Sequence, residues 1–334
     1  MIDIRSDTVT RPSPEMIQAM MNAETGDDVY GEDPTVNELE QLAAGMTSKD
    51  AALFVTSGTQ GNLLALLSHC ERGDEYITGM GAHTYLHEAG GGAVLGSIQP
   101  QPLPINPKGE LDLDDVTAAI KPDDYHYAKT RLLCLENTQG GKVLSINYMR
   151  QAGEVAKKHG LKFHLDGARV FNAAVKLEQP VSAITSLFDT VSICLSKGLA
   201  APVGSVLVGD IETISKARRL RKMVGGGMRQ AGILAAAGIY ALTRQVDRLA
   251  QDHRRATELG RALDQMDSLP LAADPETNMV MLDLTADRFN ALRTFAEEGG
   301  IKLSSQRLVL HRDIDDGDLA RIIDTFRAFD EKQL

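Results

Sequence analysis

The stretch K-F-H-L-D-G-A-R, at residues 162–169, is a short apolar strand pattern that ends in a carboxylate and continues into a glycine. Upstream, residues 131–136 read R-L-L-C-L-E, a second apolar run with an acidic residue at its end. The amphipathic pattern of residues 146–159, between the two runs, predicts a helix. A strand, a helix and a second strand form a βαβ unit, which predicts an α/β protein with a mostly parallel sheet covered on both faces.

The same alternation extends in both directions from this unit. It predicts helices over 34–44 and 63–70, and strands over 51–55, 75–78, 190–195 and 204–208. Residues 211–263 are rich in helix formers, and we expect a long helix that runs on through Ala262. After residue 269 strand and helix alternate again, which is typical of a small α/β C-terminal domain. We therefore expect a large domain at 1–250, including the N-terminal segment, and a small domain at 251–334.

Composition limits the class of protein. The 334 residues are 43% hydrophobic and 24% charged, which excludes a disordered or collagen-like chain. The net charge of −11 argues against a protein that binds nucleic acid. The three cysteines fit neither a disulfide framework nor a zinc site, so no metal is expected. The sequence shows no signal peptide and no run of about 18 apolar residues, so we expect a cytoplasmic protein without membrane contact.

Three polar segments follow predicted strands, at the sheet edge where open α/β proteins bind ligands. Residues 57–59, S-G-T, offer N–H groups and hydroxyls to an anion, although taken alone an ordinary helix cap explains them better. Asp166 is placed to hold a proton on a ring nitrogen, and Arg169 to bind a carboxylate. The alternative is that Asp166 caps a helix and Arg169 forms a surface ion pair. Lys197 is placed to act as a Schiff-base nucleophile, unless its side chain reaches solvent.

Together these segments supply a phosphate site, a partner for a pyridine nitrogen and a reactive lysine, which are the groups that pyridoxal 5'-phosphate (PLP) requires. Their order and spacing resemble the fold-type I PLP-dependent enzymes, the aspartate-aminotransferase-like superfamily. Five further strings narrow the resemblance: D-I-R-S-D-T-V-T-R-P (3–12), G-D-D-V-Y-G-E-D-P (26–34), E-N-T-Q-G-G-K-V (136–143), I-C-L-S-K-G-L-A-A-P-V-G-S (193–205) and K-M-V-G-G-G-M-R-Q-A-G (222–232). With them the chain resembles, over essentially its whole length, the low-specificity L-threonine aldolases.

The resemblance implies roles in cofactor binding. Lys197 is expected to hold PLP covalently, Asp166 to pair with the ring nitrogen, and His83 to stack on the ring. The expected phosphate ligands are Ser57, Gly58 and Thr59 from one subunit, with Lys222 and Arg229 reaching in from its neighbour. The resemblance therefore implies a homo-oligomer with active sites between subunits, usually a tetramer built as a dimer of dimers.

The resemblance also implies a substrate site. Arg169 is expected to contact either the ring hydroxyl oxygen of PLP or the substrate carboxylate, and Ser6 and Arg307 to complete the carboxylate site. Tyr30 is expected to line the site, and His126 to approach the β-hydroxyl group of the substrate. This chain departs from the family pattern at Gln139, Gly140 and His87. These departures bear on substrate fit and leave the predicted PLP residues intact.

The expected activity is retro-aldol cleavage of L-threonine or L-allo-threonine, and of related β-hydroxy-α-amino acids, to glycine and an aldehyde such as acetaldehyde. Lys197 and Asp166 are the expected catalytic residues, together with His83, His126 or an ordered water as the base. A β-eliminating or transaminating PLP enzyme remains open, because it would use the same Asp and Lys. A nicotinamide-dependent dehydrogenase is disfavoured by the absence of G-x-G-x-x-G after the first strand, and a non-catalytic protein by the intact set of site residues.

Overall fold

The structure is a computed structural model that describes residues 1–332. Its strands are β1 (Ile2–Asp3), β2 (Ala51–Val55), β3 (Asp74–Gly79), β4 (Gln99–Leu103), β5 (Lys129–Glu136), β6 (Lys162–Asp166), β7 (Thr190–Cys194), β8 (Ser205–Gly209), β9 (Leu271–Ala273), β10 (Met279–Leu282), β11 (Ile301–Lys302) and β12 (Arg307–Val309). Its α-helices are α1 (Pro14–Met21), α2 (Pro34–Thr47), α3 (Gly58–His69), α4 (His83–Leu86), α5 (Gly91–Gly96), α6 (Leu113–Ala119), α7 (Ile146–Lys158), α8 (Val170–Leu177), α9 (Ser182–Thr185), α10 (Ile211–Met223), α11 (Gly232–Arg244), α12 (Leu249–Leu263), α13 (Ala286–Glu298) and α14 (Asp316–Glu331).

Seven strands form the central sheet, in the order β2-β8-β7-β6-β5-β3-β4. Strand β8 runs antiparallel to both of its neighbours, β2 and β7. The other four pairs of neighbouring strands are parallel. Strands β3, β7 and β8 are buried along their whole length, as expected when helices cover both faces of a sheet. The predicted α/β class with a mostly parallel sheet is therefore confirmed. In this topology β2, β3, β5, β6 and β7 all end at one edge of the sheet.

Strand β4 was not predicted from the sequence. It reads Q-P-Q-P-L, and its two prolines remove backbone donors that a central strand would need. The structure places β4 at the border of the sheet, where it pairs with β3 alone. An edge position tolerates proline because one side of the strand needs no ladder hydrogen bonds.

The prediction of one long helix from about residue 233 through Ala262 is wrong, because that stretch forms two helices. Helix α11 ends at Arg244 and α12 begins at Leu249. Helix α11 packs against α1 and α2, whereas α12 packs against α8 and α14. The apolar pattern continues through the break, but the two helices bury their apolar faces against different partners, so the chain has to turn between them.

Two large apolar cores divide the chain near this turn. Leu249 belongs to the first core and Ala256 to the second. The expected boundary between residues 250 and 251 stays a prediction. The N-terminal residues belong to the second core rather than the first. Ile2 and Ile4 pack in the second core, and β1 pairs in parallel with β11. The residues that follow β1 therefore leave the small core and run towards the large sheet.

Candidate active site

Five strands that end at the common edge of the sheet carry a polar residue at their end or just beyond it. These residues are Ser57 after β2, His83 after β3, Glu136 at the end of β5, Asp166 at the end of β6 and Lys197 after β7. Side-chain atoms of His83, Glu88 and Asp166 lie within 4.8 Å of one another. The fold therefore brings together two of the residues that the sequence analysis proposed for a PLP site.

Asp166 is a buried carboxylate whose hydrogen-bond partners are neutral. It is 2% exposed, and its Oδ2 atom accepts a hydrogen bond of 2.8 Å from Asn62 Nδ2. Its Oδ1 atom accepts one of 3.0 Å from the N–H of Ala168. None of the ion pairs within residues 1–332 involves Asp166. Since a buried carboxylate is costly without a cation, the site fits a ligand that brings a positively charged ring nitrogen.

Lys197 lies in a tightly packed loop after β7. Its carbonyl oxygen accepts a hydrogen bond of 2.8 Å from Thr10 Oγ1, which ties the loop to the N-terminal segment. A Cβ atom on the next residue, Gly198, would lie 2.9 Å from Leu249 Cδ2, so a larger residue does not fit there. Across the described part of the chain, no ion pair involves the ammonium group of Lys197. The side chain therefore remains available to a ligand.

His83 is oriented by two carboxylates. Its backbone N–H donates to Glu136 Oε2 at 2.7 Å, and its Nδ1 atom lies 2.8 Å from Glu88 Oε1. An ionised carboxylate only accepts hydrogen bonds, so Nδ1 carries the proton and Nε2 is left for a ligand or substrate. The hydrogen bond to Glu88 raises the pKa of His83. Burial, and then the charge of Asp166, raise the pKa of Glu136 above its usual range.

The cluster of His83, Glu88 and Asp166 has the composition of a cation site, but its hydrogen bonds argue otherwise. Asn62 Nδ2 lies between the two carboxylates and donates to Glu88 Oε1 at 2.7 Å and to Asp166 Oδ2 at 2.8 Å. An amide donor at that position occupies the space where a metal ion would bridge the oxygens. We therefore interpret the cluster as part of an organic cofactor site.

Residues 57–59 form the N-terminus of α3. The hydroxyl of Ser57 accepts a hydrogen bond of 3.1 Å from the N–H of Gln60. The first N–H groups of the helix, on Gly58 and Thr59, have no acceptor within the helix and are therefore open to an anion. Beside this turn, the buried hydroxyl of Ser205 finds no hydrogen-bond partner among the described residues, and a Cβ atom on Gly58 would lie 3.7 Å from it. The turn fits a phosphate group, and Ser205 is a nearby residue that the sequence analysis missed.

Arg169 is held by an acidic partner that the sequence analysis also missed. Its Nε atom donates to Asp7 Oδ2 at 2.8 Å and its Nη2 atom to Asp7 Oδ1 at 2.5 Å. Burial by itself would raise the pKa of Asp7, but the charges of Arg169 and Lys197 lower it to about 2. One full edge of the Arg169 guanidinium is therefore engaged within the chain, so that edge does not bind a substrate carboxylate.

Arg307, at the start of β12, lacks such a partner. Its Nε atom is buried and forms no hydrogen bond within the described residues. Burial, and then the charge of Arg169, lower the pKa of Arg307. Two guanidinium groups close to each other, of which only one is paired, favour an incoming anion. The structure thus points to Arg307 as the free guanidinium of the site.

With this geometry established, comparisons with known proteins identify the family. Residues 3–287 match the family described as beta-eliminating lyase. The low specificity L-threonine aldolase of Escherichia coli (strain K12) is 51% identical over 332 residues, which cover 98% of this chain and 99% of that protein. The chain belongs to the low-specificity L-threonine aldolase family.

Two further members of the comparison agree with this assignment. Low-specificity L-threonine aldolase 1 of Arabidopsis thaliana is 44% identical over 344 residues, which cover 98% of this chain and 95% of that one. The solved threonine aldolase of Leishmania major shares the fold with a TM-score of 0.85, at 20% identity, over 99% of this chain and all of the other. The resemblance inferred from short sequence strings is therefore confirmed.

Four residues that the aldolase resemblance assigned to the site are exposed in the single chain. Tyr30 is 76% exposed and Lys222 is also exposed. Arg229 pairs with Asp27 at 2.7 Å on the surface, and His126 pairs with Asp124 at 2.7 Å in an exposed loop. The fold of one chain does not bury these side chains with Asp166, so their roles remain proposals.

The positions at which this aldolase departs from the family pattern lie close to His83. Gln139 Nε2 donates to the carbonyl of Gly81 at 3.2 Å and so braces the loop that carries His83. The ring of His87 is exposed, with its centre 5.6 Å from that of His83. Both residues are placed to affect the histidine rather than the carboxylate Asp166.

Proposed function

We propose that this protein is a PLP-dependent carbon–carbon lyase that cleaves L-threonine, L-allo-threonine and related β-hydroxy-α-amino acids to glycine and an aldehyde such as acetaldehyde. The observation that carries the proposal is the buried carboxylate of Asp166, whose partners among residues 1–332 are neutral, at the same sheet edge as Lys197, which forms no ion pair within those residues. Its relatives, one of them 51% identical over nearly the whole chain, are named for threonine aldolase activity.

The residues at the sheet edge fit PLP. Lys197 would hold it covalently, Asp166 would keep a proton on its ring nitrogen, His83 would cover the ring and residues 57–59 would bind its phosphate. When bound, PLP supplies an electron sink for the pair released from a bond at the amino acid α-carbon. The protein supplies the charges and hydrogen bonds that orient the cofactor and substrate.

Arg307 and Ser6 are proposed to bind the substrate carboxylate. Arg307 has an unused buried N–H, and Ser6 precedes Asp7, which is held in place by Arg169. Because Asp7 engages Nε and Nη2 of Arg169, that residue contributes at most its remaining N–H groups. Binding the carboxylate at one side of the site fixes the rotation about the α-carbon, and this rotation decides which bond is broken.

His83 is proposed as the base that removes the proton of the substrate β-hydroxyl group. With Nδ1 donating to Glu88, the Nε2 atom of neutral His83 carries a lone pair that is able to accept that proton. His126 and an ordered water remain the alternatives. In the single chain His126 pairs with Asp124 in an exposed loop, so it would have to reach the substrate from there or act in a neighbouring subunit.

Replacing Glu88 with Gln tests this assignment through the pH dependence of the rate. The hydrogen bond from Glu88 raises the pKa of His83, although burial, Asp166 and Lys197 also act on it. A base must be neutral, so activity falls as the pH drops through this pKa. In Glu88→Gln the pKa of His83 falls, and the acidic limb of the kcat/KM profile should move to lower pH.

The matched control is Asp124→Asn, which removes the carboxylate beside His126. Its pH profile should coincide with that of the wild type. If Asp124→Asn moves the acidic limb and Glu88→Gln leaves it in place, His126 is the base instead.

Replacing Arg307 with Lys tests the carboxylate site. Lysine keeps the charge but loses the planar group with several donors, so KM for L-threonine should rise roughly 10- to 100-fold, the effect of a lost hydrogen bond between charged groups. Steady-state kinetics separate this rise from a change in kcat. Arg327→Lys, an exposed arginine on α14, serves as the control and should leave KM unchanged. An unchanged KM in Arg307→Lys would show that another group binds the carboxylate.

The proposal extends to assembly and location. We propose a homotetramer, built as a dimer of dimers, in which Lys222 and Arg229 reach the phosphate site of a neighbouring subunit; their exposure on the single chain supports this. A cytoplasmic location is supported by three cysteines that are buried and free. No helix of residues 1–332 has the length and apolar character of a membrane span.

Product analysis with each of the four threonine stereoisomers tests the proposed activity. Glycine and acetaldehyde should form from L-threonine and L-allo-threonine, and neither D isomer should react. Formation of a keto acid and ammonia instead would show an eliminating or transaminating enzyme on the same scaffold. The reaction of both L isomers is the result that distinguishes a low-specificity enzyme from one strict for a single β-carbon configuration.

A further inference from the structure

A buried histidine that the proposed reaction does not use lies next to the cofactor site. His164 is on β6, two residues before Asp166, and is completely buried. Its Nε2 atom lies 3.2 Å from Asn62 Oδ1, and its Nδ1 atom lies 2.8 Å from Thr190 Oγ1. On the far side, Thr190 Oγ1 lies 2.9 Å from His69 Nε2. Since Asn62 contacts Asp166, a continuous series of hydrogen bonds leads from His69 to the cofactor site.

The direction of these hydrogen bonds follows from donor and acceptor chemistry. Glu88 and Asp166 accept, so the amide of Asn62 must turn its NH2 group towards them and its Oδ1 towards His164. His164 must then donate from Nε2, which leaves Nδ1 without a proton. Nδ1 therefore accepts from the hydroxyl of Thr190, and that hydroxyl in turn accepts from His69 Nε2.

A competing arrangement exists at His164. Its Nδ1 atom also lies 3.1 Å from the carbonyl oxygen of Thr190, which would favour a proton on Nδ1. That tautomer would turn the lone pair of Nε2 towards Asn62 Oδ1, and two acceptors would face each other. Burial lowers the pKa of His164 to about 3, so the ring stays neutral and has to choose one tautomer.

We propose that Asn62, His164 and Thr190 form a positioning relay, in which the hydroxyl of Thr190 holds His164 as its Nε2–H tautomer and thereby keeps both amide hydrogens of Asn62 on Asp166 and Glu88. The relay orients two carboxylates at the same time. One is Asp166, for the ring nitrogen of PLP, and the other is Glu88, which orients His83. It rests on the proposed function, in which Asp166 is the partner of that nitrogen.

Thr190→Val and Thr190→Ser form a matched pair that tests the relay. Valine has nearly the shape of threonine but lacks the hydroxyl group, whereas serine retains the hydroxyl group. In the PLP-free full-length protein, 15N NMR of the histidine rings should show the Nε2–H tautomer of His164 in the wild type and in Thr190→Ser. In Thr190→Val it should show the Nδ1–H tautomer, donating to the carbonyl of residue 190. A His164→Gln variant assigns the signals.

The same three proteins are then titrated with PLP. Thr190→Val should bind it about tenfold more weakly, the effect of weakening one hydrogen bond to a charged group, and Thr190→Ser should restore the affinity. A purely structural role of Thr190 would leave the His164 tautomer unchanged. An Nδ1–H tautomer in the wild type, or equal PLP affinity of all three proteins, overturns the proposal.

The NMR measurement on the wild type needs no variant, so the relay stays testable even if Thr190→Val does not fold. If the wild type has the Nε2–H tautomer but does not bind PLP, the proposed function fails while the hydrogen-bond direction stands. If it binds PLP and has the other tautomer, the relay fails while the proposed function stands.

Discussion

Replacing Lys197 with Ala should abolish turnover of L-threonine, with kcat reduced by more than roughly 10⁴-fold, as for the loss of other covalent nucleophiles. The reason is that Lys197 lies at the shared sheet edge, in the loop after β7, and takes part in no ion pair within residues 1–332. The variant should also lose the visible absorbance of covalently attached PLP, which spectroscopy of the purified protein measures alongside activity.

A lysine on the surface provides the control. Lys157, on α7, is exposed, and Lys157→Ala should keep both the absorbance and the activity. Both alanine variants should have the circular dichroism of the wild type, which shows that the loss in Lys197→Ala does not come from unfolding. Retention of colour together with normal turnover in Lys197→Ala would refute the assignment of the lysine.

Replacing Asp166 with Asn should reduce kcat by at least about 10²-fold and weaken PLP binding, because a neutral amide does not stabilise a proton on the ring nitrogen. The asparagine preserves the local shape, but its single oxygen accepts from only one of the two donors, the N–H of Ala168 or the amide of Asn62. Kinetics and a PLP titration measure the two effects separately. Asp166→Ala, which also removes the oxygens, should be at least as damaging.

The stability of the PLP-free protein distinguishes this role from a structural one. Asp166 is a buried carboxylate without a cationic partner, so its removal should leave the unfolding midpoint unchanged or raise it. A drop in activity at equal or higher stability therefore marks a residue kept for the cofactor. Asp114→Asn, an exposed acid on α6, should change neither quantity. Unchanged kinetics in Asp166→Asn would contradict the role proposed for this carboxylate.

Much of the fold was predictable because its signals are local. Strands β2 and β6 begin and end where the sequence pattern predicted, since each is a short apolar run bounded by polar residues. The polar residue after each run marks the strand end, and parallel strands collect these ends at one edge. This is why the sequence predicts that Ser57, Asp166 and Lys197 lie at one edge of the sheet.

The partners of these residues were not predictable, because they come from distant parts of the chain. Asp7 and Arg169 are 162 positions apart, and Asn62 and Asp166 are 104 apart. Asp7, Asn62 and Glu88 are buried polar residues to which the sequence pattern assigned no role, although Asp7 lies within the string 3–12. Their importance is apparent only in the folded chain. There a buried polar group has no access to bulk water and needs a hydrogen-bond partner within the protein.

The sequence by itself determined the class of the fold and the family, and it predicted which residues form the site, because apolar periodicity and short motifs are properties of neighbouring residues. Only the tertiary structure decided how those residues are held. It paired Arg169 with Asp7, left Arg307 Nε without a partner among residues 1–332, turned Nδ1 of His83 to Glu88 and placed Asn62 between two carboxylates. These choices depend on which groups are buried together, and burial is a property of the packed chain.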